Sequence, residues 1–542
     1  MKKYGVAMVT SIATFIFAID TTMMNVAITA LTQDLKTDIH HIQFAIAFYA
    51  LVIAAFMLLG AKLARLYGTK RIFLIGAILY GIGTLTAALS VNVAMLTLGW
   101  SVIEGVGSAF MIPCAVTLLM TAYRGRERAV AFALFTAVSV CAAAIGPLVG
   151  GVFTTYLSWR WAFGMEFFLV ILILVFSRVL TERRSPESLK LDVNGALLSA
   201  AGFGCVVYGV ISTTSHGWWQ AMKPLAVGGL EIAPFGLSIA PLLIIAGGII
   251  LLLFILWERR QEHRKNEPLL HTSLLKDRSY MAGAVVSLIA QLCLAALLFT
   301  IPFFLQSILH KNAMQTGLIA MPATLAMMVT MLLTPRLGAR IPVKYLTMGG
   351  TVFGIAGLVL LANSFSADMA TTALIPGFIL FGLGIGLALA QVQNLALSSL
   401  KASDTDEGAG FFNTLRNLGS SIGTAIVGTL LITFFLSGLV QGINGSAVLP
   451  QADKDQLTVL VTQSTQQMQR ENIKTEIKNV LGEYPPQYTQ ELKNIMSDAV
   501  GHSMRVTYYA LAGIMGAGLV ASFFLSRKKI VPSAGEATGP PM

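Results

Sequence analysis

Long runs of apolar residues, each ended by a short polar or Gly/Pro-rich break, make up most of the chain. A helix that crosses the hydrocarbon core of a membrane needs about 20 consecutive, mainly apolar residues. The chain meets this requirement fourteen times, near residues 6–28, 42–64, 71–91, 95–121, 129–155, 162–180, 194–213, 237–257, 279–305, 313–335, 343–362, 371–397, 411–436 and 505–526. The pattern therefore predicts an all-α polytopic membrane protein of fourteen spans, with both termini on the same face.

The first apolar run follows Met1-Lys2-Lys3 and continues to about Ala30. A secretory signal peptide has a similar positive start, but its apolar region covers only about 7–15 residues. We therefore expect an uncleaved first span whose N-terminus stays in the cytoplasm.

Lysines and arginines cluster in alternate gaps between the predicted spans. The clustered residues are Arg65, Lys70, Arg71, Arg124, Arg126, Arg128, Arg178, Arg183, Arg184, Lys190, Arg259, Arg260, Arg264, Lys265, Arg336, Arg340, Lys344, Arg527, Lys528 and Lys529. The other short gaps hold single cations, which are Lys36, Arg160, Lys223 and Lys311. Because cytoplasmic loops of membrane proteins carry an excess of Lys and Arg, we expect both termini in the cytoplasm and the chain in a bacterial or archaeal inner membrane.

The composition agrees with this topology. Of 542 residues, 55% are hydrophobic and 12% charged, against about 25% charged residues in soluble proteins, and the mean hydropathy is +0.74. The formal net charge of +11 is scattered between apolar runs, so we expect no nucleic-acid partner. All four cysteines lie in apolar runs, and no Cys/His group has metal-ligand spacing; we expect no disulfide, no metal site and no cofactor.

Longer polar connections divide the spans into groups. Connections at 181–192 and 258–278 bracket the seventh and eighth spans, so six spans precede this pair and six follow it. This 6+2+6 pattern predicts an N-terminal bundle (1–180), a two-helix insertion with its loops (181–278) and a C-terminal bundle (279–542). Two bundles that rock around a site near the membrane midplane are typical of secondary transporters.

One large polar insertion, 438–503, separates the last two spans on the outer face. Its stretch from Gln463 to Leu481 has helix-like spacing and is followed by Pro485-Pro486, which breaks a helix. We expect a small, partly helical cap without transport chemistry.

Carboxylates inside predicted spans are conspicuous, because a charged side chain there costs about 2.5–3.5 kcal/mol on insertion scales. Asp20 lies in the first span and Glu104 in the fourth. Such residues normally face a cavity or a partner, so both are candidates for carrying protons or for attracting a cationic substrate. For Asp20 a structural alternative stays open, in which it anchors hydrogen bonds with Thr22 and Asn25.

Several short motifs follow one another along the chain. They are Asp20, Thr22, Asn25, Val26 and Ala27; Gly68, Lys70 and Arg71; Gly146, Pro147, Gly150 and Gly151; Trp159, Arg160, Trp161 and Phe163; Phe304, Leu305, Gln306, Gly317 and Pro322; Gly382, Gly384 and Gly386; and Asn413 to Gly419 with Gly423. In this order they resemble the major facilitator superfamily, specifically its fourteen-helix drug:proton antiporter-2 branch. The resemblance covers nearly the whole chain and implies export of toxic compounds by alternating access in exchange for protons.

The chain departs from the family pattern at positions that the family ties to coupling. The inner-loop motif usually holds an Asp where this chain has Arg65, so a conformational latch that uses that acid cannot work in the usual way. In the fourth span the usual R-x-x-Q-G is Ser101-Val102-Ile103-Glu104-Gly105, which lacks the Arg implicated in proton coupling. The Asn and Pro that usually follow W-R-W-x-F are replaced by Glu166 and Phe168.

Residues and resemblance together define the candidate site residues. Asp20 and Glu104 are candidates for proton coupling or for binding a substrate cation. Candidate cavity residues are Thr22, Asn25, Tyr49, Phe304, Gln306 and Gln391, with Met23, Met24 and Phe303 as an adaptable apolar wall. We expect Arg160 and Arg416 to have structural roles or to form ion pairs.

The chain has no G-x-x-x-x-G-K-[ST] motif, so an ion gradient is the expected energy source. We expect a monomeric exporter, not an enzyme, that moves amphipathic, often cationic, toxic compounds by proton antiport and contacts small-molecule substrate, protons and membrane lipids. One alternative is an exporter or flippase of lipids, fatty acids or a metabolite. The other is a membrane-embedded group transferase, which would need a polar catalytic cluster at one membrane face.

Overall fold

The structure, a computed structural model, describes most of the chain. The described residues are 4–123, 125–181, 192–216, 225–227, 230–232, 237–264, 268–366, 369–400, 405–451, 454–455, 457–458 and 486–527. The helix predicted from Gln463 to Leu481 lies outside these ranges.

The described residues contain fourteen helices that are long and apolar enough to cross a membrane, as the sequence predicts. Eleven of these spans are single α-helices: Ile39–Tyr67 (span 2), Thr69–Ala88 (span 3), Gly125–Tyr156 (span 5), Trp159–Phe176 (span 6), Val193–His216 (span 7), Ile239–His263 (span 8), Arg278–Ser307 (span 9), Ala313–Arg340 (span 10), Val343–Ser364 (span 11), Thr405–Gly445 (span 13) and Pro486–Ser522 (span 14). Short 3-10 turns follow span 6 at Ser177–Val179 and precede span 9 at Thr272–Lys276.

The other three spans are composite helices. Span 1 joins the α-helices Gly5–Met23 and Ile28–Asp34 through the 3-10 turn Met24–Ala27. Span 4 consists of the α-helix Val93–Leu96, the π-helix Thr97–Glu104 and the α-helix Gly105–Ala122. Span 12 consists of the 3-10 turn Thr371–Leu374 and the α-helices Ile375–Ala390 and Val392–Leu397.

The connection between spans 7 and 8 adds a feature that the all-α prediction does not contain. Strand β1 (Leu225–Val227) pairs with strand β2 (Leu230–Ile232) in a two-stranded antiparallel hairpin, with Leu225 opposite Ile232. The hairpin belongs to the connection that follows span 7 and precedes span 8 along the chain, where water or polar groups can satisfy its outer edges.

Spans 13 and 14 are longer than the sequence predicts and extend into both ends of the insertion 438–503. Span 13 continues to Gly445, and span 14 begins at Pro486, a residue that the first turn of a helix accepts because its N–H would have no partner there. The two extensions share a small core that includes Leu439, Ile443 and Ile495. Both ends of the insertion are therefore helical and packed together.

The first six and last six spans meet along two seams. Span 2 packs against span 13, where Gln43 Nε2 donates to the carbonyl oxygen of Thr424 at 2.7 Å and Ser421 Oγ donates to that of Ala47 at 2.5 Å. Span 5 packs against span 10, where Thr324 Oγ1 donates to the Ala144 carbonyl oxygen at 2.9 Å. Small polar side chains that bond a facing backbone hold membrane helices together without ionic charge.

Span 7 lies along the first of these seams. It contacts both span 2 and span 13, and the hydroxyls of Thr213 and Thr429 lie 2.9 Å apart. Its buried Phe203 and Val207 share a cluster with Ala47 of span 2 and Leu418 of span 13. The insertion of spans 7 and 8 therefore covers the seam between spans 2 and 13.

Glycines let span 12 approach its neighbours closely. A β-carbon at Gly384 would lie 2.6 Å from the carbonyl oxygen of Gly350 and 2.7 Å from the Cα of Gly354 in span 11. The neighbouring Gly382 packs in the same way on the Ala323 carbonyl of span 10. These contacts explain the glycine motif of this span as a packing requirement.

Gly384→Ala is expected to lower the apparent melting temperature of the purified protein in detergent. The new methyl group meets the backbone of span 11 at Gly350 and Gly354, and such overpacking costs about 1–3 kcal/mol. Gly204→Ala in span 7 is the control, because a β-carbon there would lie more than 4 Å from every described heavy atom outside its own stretch of helix. Equal melting temperatures for the two variants would contradict this account of the motif.

Candidate functional site

A cluster of three carboxylates, the acidic cluster, is buried among the first six spans. It consists of Asp20 of span 1, Glu104 of span 4 and Glu166 of span 6, each with 0% of its surface exposed. One carboxylate oxygen from each residue lies within 4.8 Å of those of the other two. Asp20 and Glu104 are predicted site residues, whereas Glu166 stands out in the sequence only as a departure from the family pattern. The signal for Glu166 was already present, since it is a third acid inside an apolar span.

Asp20 is held by span 4. The indole Nε1 of Trp100 donates to both Asp20 oxygens, at 3.1 and 3.2 Å. The Trp100 ring stacks on Tyr49 of span 2 at 5.6 Å between centroids and meets the edge of Phe163 of span 6 at 5.9 Å. Three aromatic rings from three spans therefore fix the donor that serves Asp20.

Glu104 is the last residue of the π-helix Thr97–Glu104. The wider turn of a π-helix redirects side chains and is often found at functional sites. Gly83 of span 3 admits this segment, because a β-carbon there would lie 2.5 Å from the backbone nitrogen of Glu104. Neither carboxylate oxygen of Glu104 has a hydrogen-bond partner among the described residues.

Glu166 receives one hydrogen bond. The hydroxyl of Tyr80 in span 3 lies 3.3 Å from Glu166 Oε2 and 3.4 Å from the carbonyl oxygen of Ile16. The other oxygen, Oε1, has no partner in the described part of the chain.

The cluster cannot carry three negative charges in this environment. Two unit charges 4.8 Å apart repel by about 3.5 kcal/mol at an effective dielectric constant of about 20. No described Lys, Arg or His makes an ion pair or hydrogen bond with any of the three carboxylates. Protons or a bound cation must therefore neutralise part of the cluster.

The prediction of no metal site rested on the spacing of Cys and His alone. The fold brings three carboxylates together, and carboxylate oxygens are ligands that hard cations accept. This arrangement could hold a metal ion, a possibility that residue spacing along the chain does not reveal.

Thr22 and Asn25 do not anchor Asp20. Thr22 Oγ1 donates to the Ile19 carbonyl oxygen at 3.1 Å, and Asn25 Nδ2 donates to the Thr21 carbonyl oxygen at 2.9 Å. Both bonds stay within span 1, and Trp100 provides the anchor that the structural alternative assigned to Thr22 and Asn25.

The Gly146–Gly151 motif lies where span 5 crosses spans 1 and 10. The backbone at Gly146 lies directly against the Thr22 hydroxyl, and a β-carbon at Gly150 would lie 2.5 Å from the Met23 carbonyl oxygen. On the other side, Gly151 packs against Ala313, and Gly317 of span 10 packs against the carbonyl of Pro147. The motif therefore serves close packing at the second seam.

The candidate cavity residues of the last six spans lie apart from the acidic cluster. Phe304 is buried against Phe365, with 5.1 Å between ring centroids. Gln306 Nε2 donates to the Val26 carbonyl oxygen of span 1 at 2.8 Å, so it bridges the two groups of spans. Gln391 accepts a hydrogen bond from Asn394 Nδ2 at 2.8 Å within span 12.

The two arginines differ in their surroundings. Arg160 binds the Asp34 carboxylate, donates to the Ser90 carbonyl oxygen at 2.8 Å and lies 4.3 Å from the centre of the Trp159 ring. Arg416 of span 13 is half-buried and makes no hydrogen bond or ion pair with a described residue.

We call the face at which the described chain begins and ends the terminal face and the opposite one the far face. At the terminal face Gly68 takes a φ of 104° in the tight turn between spans 2 and 3, Lys70 Nζ donates to the Leu180 carbonyl oxygen at 2.6 Å, and Arg71 is exposed. Arg65 of span 2 lies 3.8 Å from Glu407 of span 13. The residue that replaces the expected Asp thus pairs with an acid on the other side of the seam.

An apolar groove of about 700 Å³ runs between spans 1, 5 and 6. Its lining residues are Tyr4, Gly5, Met8, Ser11, Ile12, Phe15, Leu134, Val138, Leu169, Phe176 and Val179. Several of them, including Met8 and Leu134, are exposed on the side of the helix bundle that would face lipid.

Fourteen helices able to cross a membrane, with a buried acidic cluster among the first six, define a polytopic membrane protein. The chain matches the Major Facilitator Superfamily over residues 10–424 and belongs to that superfamily, which confirms the resemblance drawn from its motifs. Membership makes the protein a secondary transporter and not a membrane-embedded enzyme.

Curated relatives and solved structures agree with this assignment. The chain is 29% identical over 423 residues to the puromycin resistance protein pur8 of Streptomyces alboniger, covering 77% of this chain and 80% of that protein. It is 26% identical over 436 residues to the multidrug resistance protein Stp of Mycobacterium tuberculosis, covering 79% and 76%. A bacterial homolog of the human lysosomal transporter Spinster shares the fold, with a TM-score of 0.58, 13% identity and coverage of 97% and 98%.

Trp100→Phe is expected to destabilise the folded protein, because it removes the described donor to Asp20. Loss of a hydrogen bond to a charged group costs about 1.5–3 kcal/mol. Unfolding in mixed micelles with increasing SDS measures the change. The matched control is Trp161→Phe, whose side chain is 61% exposed and should matter little; an equally small effect of Trp100→Phe would contradict the assigned role.

Proposed function

We propose that the protein exports amphipathic, often cationic, toxic compounds across a bacterial or archaeal inner membrane in exchange for protons. The observation that carries this proposal is the acidic cluster, which is fully buried and lacks a described counter-cation. Such a group takes up protons when one face opens and releases them when the other opens.

The substrate class rests on the relatives. One is named for resistance to puromycin and another for resistance to multiple drugs. By analogy we propose that this chain also moves small toxic compounds. The aromatic ring of Tyr49, which stacks on the Trp100 that binds Asp20, suits a cationic compound.

Alternating access would use the two groups of spans as bodies, residues 1–180 and 279–542, with the insertion 181–278 lying along one seam. Contacts at opposite faces support this proposal. At the far face Gln306 bonds Val26, and Thr155 Oγ1 accepts from the Met314 N–H at 3.0 Å. At the terminal face Arg65 pairs with Glu407. Opening either face requires one of these sets to separate.

We propose that the terminal face is cytoplasmic, because Arg65, Lys70 and Arg71 lie there. A single chain contains all the spans that these movements need, so we propose that the monomer is the working unit.

Proton coupling can be tested with purified protein in liposomes under an imposed pH gradient, following ethidium and internal pH together. The wild type is expected to move ethidium with matching proton flux. Asp20→Asn and Glu104→Gln should each reduce gradient-driven transport at least tenfold, because each removes a protonatable group from the cluster.

Glu258→Gln is the matched control for these variants. Glu258 is also a fully buried glutamate, but it lies in span 8 and accepts the backbone N–H groups of Leu269 and Leu270. If Asp20→Asn and Glu104→Gln transport ethidium like Glu258→Gln does, the acidic cluster is not the coupling site.

A second candidate function is export or flipping of lipids or fatty acids, which the apolar groove between spans 1, 5 and 6 favours. The same liposomes test it with a fluorescent phospholipid in place of ethidium. Lipid movement that is lost in Val138→Phe, which fills the groove, together with no ethidium movement, would favour this function over drug export.

Exchange of the two charges across the first seam tests the terminal-face contact. Arg65→Glu and Glu407→Arg each place like charges opposite one another, so each should slow ethidium transport several-fold. The double variant restores an attractive pair at these two positions but loses the contact of Glu407 with His271 Nδ1 at 2.6 Å, so it is expected to recover part of the rate. A double variant as slow as the singles would show that the pair does not control opening of this face.

A further inference from the structure

We propose that Glu166 determines which ligand charges the transporter accepts: it holds a second exchangeable proton, and this lets the cluster exchange two protons for an organic dication. This inference rests on the proposed proton coupling and extends it from the predicted acids Asp20 and Glu104 to a third.

Hydrogen bonding distinguishes the three acids. An indole N–H can only donate a hydrogen bond. The N–H of Trp100 is shared between both oxygens of Asp20, an arrangement that suits an ionised carboxylate because both of its oxygens accept. Glu104 has no donor at either oxygen among the described residues, and Glu166 has one, from Tyr80. A buried carboxylate without donors is unstable, whereas a neutral carboxylic acid tolerates the same place. Both oxygens of Asp20 accept from Trp100, whereas both oxygens of Glu104 and Oε1 of Glu166 have no donor among the described residues. Because carboxylates within 4.8 Å of one another repel strongly when charged, a single acid is ionised in the sealed state. That acid is Asp20, and Glu104 and Glu166 each hold a proton.

Among the described residues, no Lys, Arg or His makes an ion pair that could compensate the charge of the cluster. The titratable groups of neighbouring spans that face the cluster in the described structure are the phenols of Tyr49 in span 2 and Tyr80 in span 3. Span 5 contributes the glycines Gly146 and Gly150 where it crosses span 1. Glu104, unpartnered and 0% exposed, has a carboxylate oxygen within 4.8 Å of both other acids, so it points into the cluster.

Charge balance then determines how many protons leave the cluster when a cation binds. The sealed cluster has a net charge of minus one, and the low dielectric around it opposes any change in that sum. A bound monocation is balanced by release of one proton, and a bound dication by release of two. Two protons are available because Glu104 and Glu166 are both neutral; with Glu166 removed, only Glu104 can release one.

Ethidium and propidium provide matched ligands, since they share one ring system and carry one and two positive charges. Proton release on binding is measured with a pH indicator in weakly buffered detergent solution, and binding by ligand fluorescence. The wild type is expected to release one proton for each ethidium and two for each propidium. Glu166→Gln should release one for either ligand, and its affinity for propidium should fall on the order of tenfold relative to its affinity for ethidium.

Two further variants keep the test decisive if Glu166→Gln folds poorly. Glu166→Asp retains a carboxyl group and should restore the second proton. Glu258→Gln, a buried acid outside the cluster, should behave like the wild type.

The possible outcomes separate the two proposals. One proton released for both ligands by the wild type would overturn the role of Glu166 and leave proton coupling standing. No proton released with ethidium would count against the proposed coupling itself. If MgCl2 or CaCl2 alone released two protons and blocked propidium binding, the cluster would be a metal site and the inference would be wrong.

Discussion

The cost of an uncompensated charge inside a membrane protein controls the architecture around the acidic cluster. Asp20, Glu104 and Glu166 come from three spans and meet without a described cation beside them. Each feature near them limits that cost. Trp100 supplies a donor to one acid, Tyr80 supplies a donor to another, and the remaining oxygens are compatible with bound protons. The net charge of a site of this kind changes when a proton or another cation binds or leaves.

The backbone geometry of the spans places these three acids next to one another. The π-helix in span 4 ends at Glu104 and also carries Trp100, so a single distorted segment provides both an acid and the donor to its neighbour. That segment fits against span 3 because Gly83 has no side chain. Glycines also permit close packing elsewhere, where spans 5, 10, 11 and 12 cross their neighbours. The two seams are joined by side chains that donate hydrogen bonds to backbone carbonyls of the facing span. Such contacts are specific in geometry yet carry no formal charge, and they can separate when the protein changes conformation.

Departures from the family pattern become understandable in three dimensions. Arg65 stands where the family has an acid, and it faces Glu407 across the seam at the terminal face. Glu166 stands where the family has an amide, and it completes the buried cluster. Both substitutions could be noticed in the sequence, but their partners lie more than 60 residues away along the chain, so the sequence alone did not connect them.

The sequence by itself determined the number of spans and the family, because hydrocarbon thickness sets a minimum apolar length and short motifs keep their order. It also identified Asp20 and Glu104, since any acid in an apolar run is conspicuous. The tertiary structure decided what hydropathy does not encode. It lengthened spans 13 and 14 through the shared core at Leu439 and Ile495, and it gave the anchoring of Asp20 to Trp100 and not to Thr22 and Asn25. It also brought Glu166 to the other acids. These outcomes depend on which helix faces meet, and helix contacts in a membrane follow from local shape and hydrogen bonding, which a pattern of apolar residues does not specify.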